Sequence, residues 1–241
     1  MCAEKNKAVN IGLFSAPGVA GLIAGGYLAY KGADIFSIML TAAVIFFILL
    51  SMLPIRNYPG KNDDETVTDK KISLDKHDLI MILLLTVISL RSVIWNVFQL
   101  LHENNYEWLI AIAVAAVIGK IAGGWLADKI GWRLYVLISI TAATPLLTFF
   151  RNELLLFCIG VGLLQSGIPA TTSLLIRSMK GKTERAIGLS FGTAIIAGGV
   201  VFYIPYWDLL LSDIVICSIT VAIMLIMFFM GKNKFRDIRP L

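Results

Sequence analysis

Cysteine and histidine are almost missing from this chain, with three and two among 241 residues. Cys2, Cys158 and Cys217 are too scattered for a disulfide framework, and His77 and His102 add no ligand spacing for a metal. Cys158 and Cys217 read instead as small apolar packing residues. Charge is also scarce, at 15% of residues, and no aspartate or glutamate lies deep in any apolar run. A proton relay through a buried carboxylate is therefore not on display. Enzyme patterns are thin as well. No H-E-x-x-H and no paired carboxylates occur. Gly181-Lys182-Thr183 has Ile176 where a phosphate-binding loop needs its first glycine, and no strand precedes it. The chain reads as no enzyme, with no cofactor and no metal.

What is abundant is apolar. Hydrophobic residues make up 58% of the chain and mean hydropathy is +0.81, more than a soluble domain of this length can hide. Eight runs, at about 8–30, 34–55, 78–101, 107–127, 133–150, 153–176, 184–205 and 209–230, approach the length needed to cross roughly 30 Å of hydrocarbon as helices. In lipid each segment must satisfy its own backbone hydrogen bonds, which helices do. The expected fold is an all-α, polytopic transmembrane bundle of about eight spans. The first run carries Pro17 and several glycines and lacks a cleavage site, so it reads as a span and not as a leader.

The net charge of +5 invites a nucleic-acid reading, but its distribution points to the bilayer. With the N-terminus inside and the spans alternating, seventeen of the 21 lysines and arginines fall in inner segments. Only Lys31 and Arg151 fall outside, and Arg91 and Lys120 lie within spans. That bias is the positive-inside rule, and it predicts an integral protein of the cell membrane with both termini cytoplasmic. Tyr27, Tyr30, Tyr106, Trp108 and Trp207 near outer ends, and Trp125, Trp132 and Tyr135 near inner ones, match an interfacial aromatic belt. The partner is the lipid bilayer, and no nucleic acid is called for.

Two patterns carry further meaning. Gly124-Trp125-Leu126-Ala127-Asp128-Lys129-Ile130-Gly131-Trp132-Arg133 is a glycine-flanked charged turn between two apolar runs. A short repeat links the entry of the first span, Lys7-Ala8-Val9-Asn10-Ile11-Gly12-Leu13, to that of the seventh, Arg185-Ala186-Ile187-Gly188-Leu189. The turn resembles the signature cytoplasmic loop of the major facilitator superfamily of transporters. It keeps Gly124, Asp128, Lys129, Gly131 and Arg133 and departs at Trp132, where the family often has another basic residue. The first span, Gly12 through Gly26 around Pro17, resembles that family's Gly-Pro-rich fifth helix. A repeat six helices apart suits halves related by an axis along the membrane normal.

The resemblance implies helices five to twelve of a twelve-helix fold. Residues 1–55 would be the last two helices of an incomplete N-terminal half, 56–78 a cytoplasmic linker, and 79–241 the six-helix C-terminal half. It implies a secondary transporter of a small solute, with four missing helices or an oligomer partner completing it. Asp128 and its basic neighbours would form a cytoplasmic gating loop latched onto the N-terminus of the first helix, near residues 8–12. A carboxylate is favoured there by unpaired amides and the helix dipole. The alternative is a non-transporting relic, scaffold or regulatory subunit.

Candidate solute contacts follow from polar residues inside spans. Arg91 lies about 13 residues into its helix, roughly 20 Å deep, where an arginine needs water, a partner or an anion. Arg91, Trp95, Gln99 and His102 fall within about 80° on a helical wheel. Lys120 either snorkels or lines the same cavity, and two inward cations would favour an anionic solute. Gln165 and Thr172, flanking Pro169, line the cavity or bond between helices. Gly12, Gly18, Gly21, Gly25, Gly188 and Gly192, with Gly119 and Gly123, are expected helix-packing or gating positions, and Pro17 a bending point.

Overall fold

The computed structural model describes residues 7–32, 34–52, 76–102, 105–179, 182–205 and 207–232; in parts of α1 and α2 it describes only the helical backbone. Within them lie α1 (Lys7–Tyr30), α2 (Ile35–Met52), α3 (Lys76–Leu101), α4 (Tyr106–Ile130), α5 (Trp132–Phe149), α6 (Leu154–Ser178), α7 (Thr183–Val200) and α8 (Asp213–Lys232). Two 3-10 turns, Val201–Tyr203 and Trp207–Leu211, join α7 to α8. No strand occurs among the described residues. Six helices, α3 to α8, are each long and apolar enough to cross a membrane, and α1 adds a shorter apolar stretch, Ala8–Val19. The chain is an all-α polytopic membrane bundle. Most of the linker read over 56–78 lies outside the described residues.

Three boundaries differ from the sequence reading. α7 ends at Val200 instead of near 205, because the 3-10 turn Val201–Tyr203 takes over there. The charged turn is mostly helix: α4 runs on to Ile130, and Gly131 alone makes the reversal, at φ 106°. Only glycine adopts that region without strain. The last span starts at Asp213 instead of near 209, because Trp207–Leu211 is a 3-10 turn and Ser212 begins the new helix with its carbonyl accepting from Ile216 N.

α6 is the hub, packed against α1, α3, α4, α5 and α7. It is buried along more of its span than any other candidate span here. Its closest neighbour is α4, and glycines set the separation. A Cβ on Gly119 would sit 2.8 Å from the carbonyl carbon of Gly162, and one on Gly123 would sit 2.6 Å from Ser166 Cα. Small residues that let backbones meet replace the hydrophobic drive that is missing between helices in lipid. Across α4's other side lies α1, where a Cβ on Gly12 would lie 2.5 Å from Lys120 O. α3 and α7 pack through Gly198, which leaves room for Ser92 and Asn96; Ser92 Oγ donates to Ala194 O at 2.6 Å. At one end, Phe98 meets Phe157 edge-on at 5.0 Å.

α5 and α8 run antiparallel and are joined at both ends. Arg133 donates to the carbonyls of Met227 and Phe228, each at 2.9 Å, and Arg151 pairs with Asp213 at 2.6 Å.

The glycine contacts separate cleanly. Gly123→Ala should destabilise the bundle by about 1–3 kcal/mol, the usual penalty of overpacking. Gly188→Ala, with nothing within 4 Å of its Cβ, should be neutral or gain up to about 1 kcal/mol of helix propensity. Thermal unfolding of both variants in one detergent checks the contrast.

Candidate functional site

Asp128 occupies the last turn of α4, where its own helix dipole opposes a negative charge. A second helix end resolves the conflict. Ala8 N donates to Asp128 Oδ1 at 3.3 Å and Val9 N donates to Oδ2 at 3.1 Å. These are first-turn amides of α1, which have no partner within their own helix. Asp128 thus caps α1 from 119 and 120 residues away in sequence, in the range 8–12 where the sequence analysis places its partner. Gly124 permits the approach, since a Cβ there would meet Ala8 O at 2.5 Å. Trp132, the departure from the family pattern, has a part in the same site. Its Nε1 donates to Asp128 Oδ1 at 2.7 Å. Lys129 lies 3.4 Å over the Trp125 ring, and the Arg177 guanidinium lies 5.8 Å from the centre of the Trp132 ring.

The polar residues inside the bundle are arranged differently from an open cavity wall. Arg91, on α3, is 1% exposed. Its Nη2 donates to Leu164 O on α6, while Nε and Nη1 have no partner among the described residues. Gly167 forms the seat, because a Cβ at that position would lie 2.7 Å from Arg91 Cζ. Trp95 packs, half-buried, against the apolar core. Gln99 Nε2 and His102 Nε2 are buried without a partner among the described residues. His102 stacks on Trp108 at 4.3 Å and meets Phe157 edge-on at 5.3 Å. The stripe of Arg91, Gln99 and His102 is therefore one of unmet hydrogen-bonding groups under cover. Burial pushes the His102 imidazole below its ordinary pKa.

Lys120 lies at the contact of α4 with α1. It is buried, and Nζ reaches Ser15 O of α1 at 3.5 Å. Gln165 is buried on α6, and Thr172 Oγ1 shares a 3.0 Å hydrogen bond with Ser190 Oγ of α7. Thr172 thus takes the interhelical role.

The glycine expectations divide. Gly12, Gly119, Gly123 and Gly124 are close-approach positions, together with Gly162 and Gly167 on α6, which the sequence pattern did not single out. Gly18, Gly21, Gly188 and Gly192 have nothing within 4 Å of a Cβ among the described residues. Their neighbours lie on the other faces of α1 and α7. The surroundings of Gly25 lie outside what is described. Pro17 is exposed inside α1, which continues through it as one helix.

Gly188-Leu189-Ser190-Phe191-Gly192 has the spacing of a serine-hydrolase elbow, which needs a strand before it and a helix after. Here it lies within α7, and Ser190 Oγ is buried against Thr172. No group of three or more His, Cys, Asp or Glu able to hold a metal ion occurs among the described residues.

No family model, curated protein or solved structure matches the chain.

Asp128→Ala should remove the α1 cap. The expected results are a stability loss of about 1–2 kcal/mol, as for other lost caps, and faster hydrogen exchange at the Ala8 and Val9 amides, read by mass spectrometry. His102, with its folded pKa depressed, sets a direction with pH. Its penalty is nil above its unfolded value, grows as pH falls from there toward the folded one, and levels off below both. Stability should decline from pH 7 to pH 5, and His102→Gln should flatten part of that decline in thermal unfolding.

Proposed function

We propose that the chain is the helix-five-to-twelve portion of a major facilitator superfamily transporter, moving a small anionic solute by alternating access. The observation that carries this reading is the capping of α1 by Asp128. It joins a helix before the 53–75 segment to the signature turn after it, as the family's gating loop requires. Both termini would be cytoplasmic, and the opposite cavity wall would come from four further helices or a second copy. Breaking and remaking a charge-assisted contact at a helix end is a modest step, so the contact suits a latch that opens in each cycle.

Arg91 is the proposed solute contact. In the present state it is seated on α6, and only one of its nitrogens is bonded among the described residues. Buried donors left unmet cost about 1–3 kcal/mol each, more when charged. An anion entering as α3 and α6 part would supply the missing acceptors, and its binding would be matched to that movement. Gln99 and His102 offer neutral donors on the same helix face. Lys120 would act at the α1–α4 contact, not in the first layer around the solute.

The test is stabilisation by ligand in detergent, followed by counterflow in vesicles. Carboxylates, phosphates and sulfonates should raise the unfolding temperature of the native chain, while cationic amines should not. Arg91→Gln should lose that response yet be at least as stable without ligand, because an uncompensated buried charge has gone. A severe loss of stability in Arg91→Gln would make the arginine a structural clamp. No response to any anion would favour a non-transporting membrane protein.

A further inference from the structure

A cavity of about 670 Å³ opens at the Asp128 end of the bundle, between the ends of α3, α5, α6 and α8. That volume falls within the range of ligand pockets, about 300–1,000 Å³. Its inner wall is apolar: Leu84, Leu174 and Met230. Its rim carries Arg133 and Arg177. Arg133 uses Nε and Nη2 on α8 carbonyls, and among the described residues Arg177 has only the face of Trp132 beside it. Both therefore keep N–H groups for an anion. Asp128 also borders the cavity, but its carboxylate is engaged by two amides and an indole.

The side of the cavity decides what kind of anion fits. Leu134 of α5 and Phe228 of α8 border it and are exposed, at 53% and 55%. In a spanning bundle these faces meet hydrocarbon, so the cavity opens sideways into the bilayer as well as toward the charged end. A soluble anion gains nothing from an apolar flank of that kind. A molecule with a phosphate at the interface and a chain in the hydrocarbon matches both parts. Basic pockets between helices near the cytoplasmic side are known physical traps for anionic headgroups, and planar guanidinium groups bind phosphate oxygens in pairs. The second cavity, about 740 Å³ between α4 and α6, is lined almost wholly by apolar side chains and small residues. It cannot tell one lipid from another.

We propose that the cavity between α5, α6 and α8 is a binding site for an anionic phospholipid, with the headgroup phosphate between Arg133 and Arg177 and an acyl chain passing out between Leu134 and Phe228. The site is independent of the solute reading and would hold in a non-transporting protein. An occupant there would brace the contact of Arg133 with α8 next to the Asp128 cap, so lipid composition would bear on the stability of that end of the bundle.

Native mass spectrometry of the full chain tests this, with phosphatidylglycerol and phosphatidylcholine competing in mixed micelles. The native chain should retain phosphatidylglycerol preferentially. Arg177→Ala, a change at an exposed side chain, should reduce that preference about tenfold, the equivalent of one charge-assisted contact. Leu137→Trp, which fills the cavity, should also reduce it. Arg151→Ala removes one charge at the opposite end and should leave the preference unchanged. Equal loss in Arg151→Ala, or none in Arg177→Ala, would overturn the proposal. Displacement of the lipid by millimolar glycerol phosphate would overturn it in favour of a soluble phosphate ligand.

Discussion

The meeting of two backbones, α4 on α6, is the constraint from which the other contacts follow. Gly119 and Gly123 bring α4 close enough to α6 that no side chain fits between them. This fixes where the far end of α4 lies, and with it Gly124 and Asp128. α1 can be capped by Asp128 only because Gly124 and Gly12 leave out side chains that would hold the two helices apart. A shift of about 1 Å at the α4–α6 contact would carry the carboxylate out of hydrogen-bond range of one amide or both.

Helix ends then do what side-chain pairing does in soluble proteins. Asp128 is misplaced by the rules of its own helix and well placed by those of α1. Arg133 is at the start of α5, where a cation is unfavourable, yet it rests on carbonyls near the end of α8, where one is favoured. Each charge is exchanged between helices in the same way, so the turn around Gly131 ties α1, α4, α5 and α8 together at one end. The ion pair of Arg151 with Asp213, at the other end, is partly exposed and contributes little by comparison.

How much of this was legible in the sequence depended on whether the signal was local. The existence and type of the helices followed from runs of apolar residues, whereas the partner of Asp128 followed from the family resemblance of its turn and from the repeat between the first and seventh spans. Close packing was legible only in part. Gly119 and Gly123 stand four apart on a face that meets another helix, but so do Gly188 and Gly192, which meet nothing described. A small-xxx-small pair states that a backbone can approach, not that one does. Gly167 was illegible for a related reason. Its meaning comes from Arg91, 76 residues earlier, and no local pattern holds that information. The end of the 3-10 turn, Leu209–Leu211, was read as helix because its composition is apolar, and composition does not distinguish such a turn from the start of a helix.

The two buried cations sharpen what the scarcity of internal carboxylates means. Arg91 and Lys120 each lean on one main-chain carbonyl of a neighbouring helix, Leu164 and Ser15. A carbonyl supplies a dipole but no countercharge, so both positive charges stay uncompensated among the described residues. No acidic residue sits deep in α3 to α8 to offset them. Natural membrane helices seldom retain such groups without a partner, because the charge is expensive. If the partner were part of this chain, a carboxylate within reach would be the simplest provision. In the proposed function, the solute would supply that negative charge. Arg91, with two free nitrogens under cover, is the place in the described structure where its arrival would be felt most.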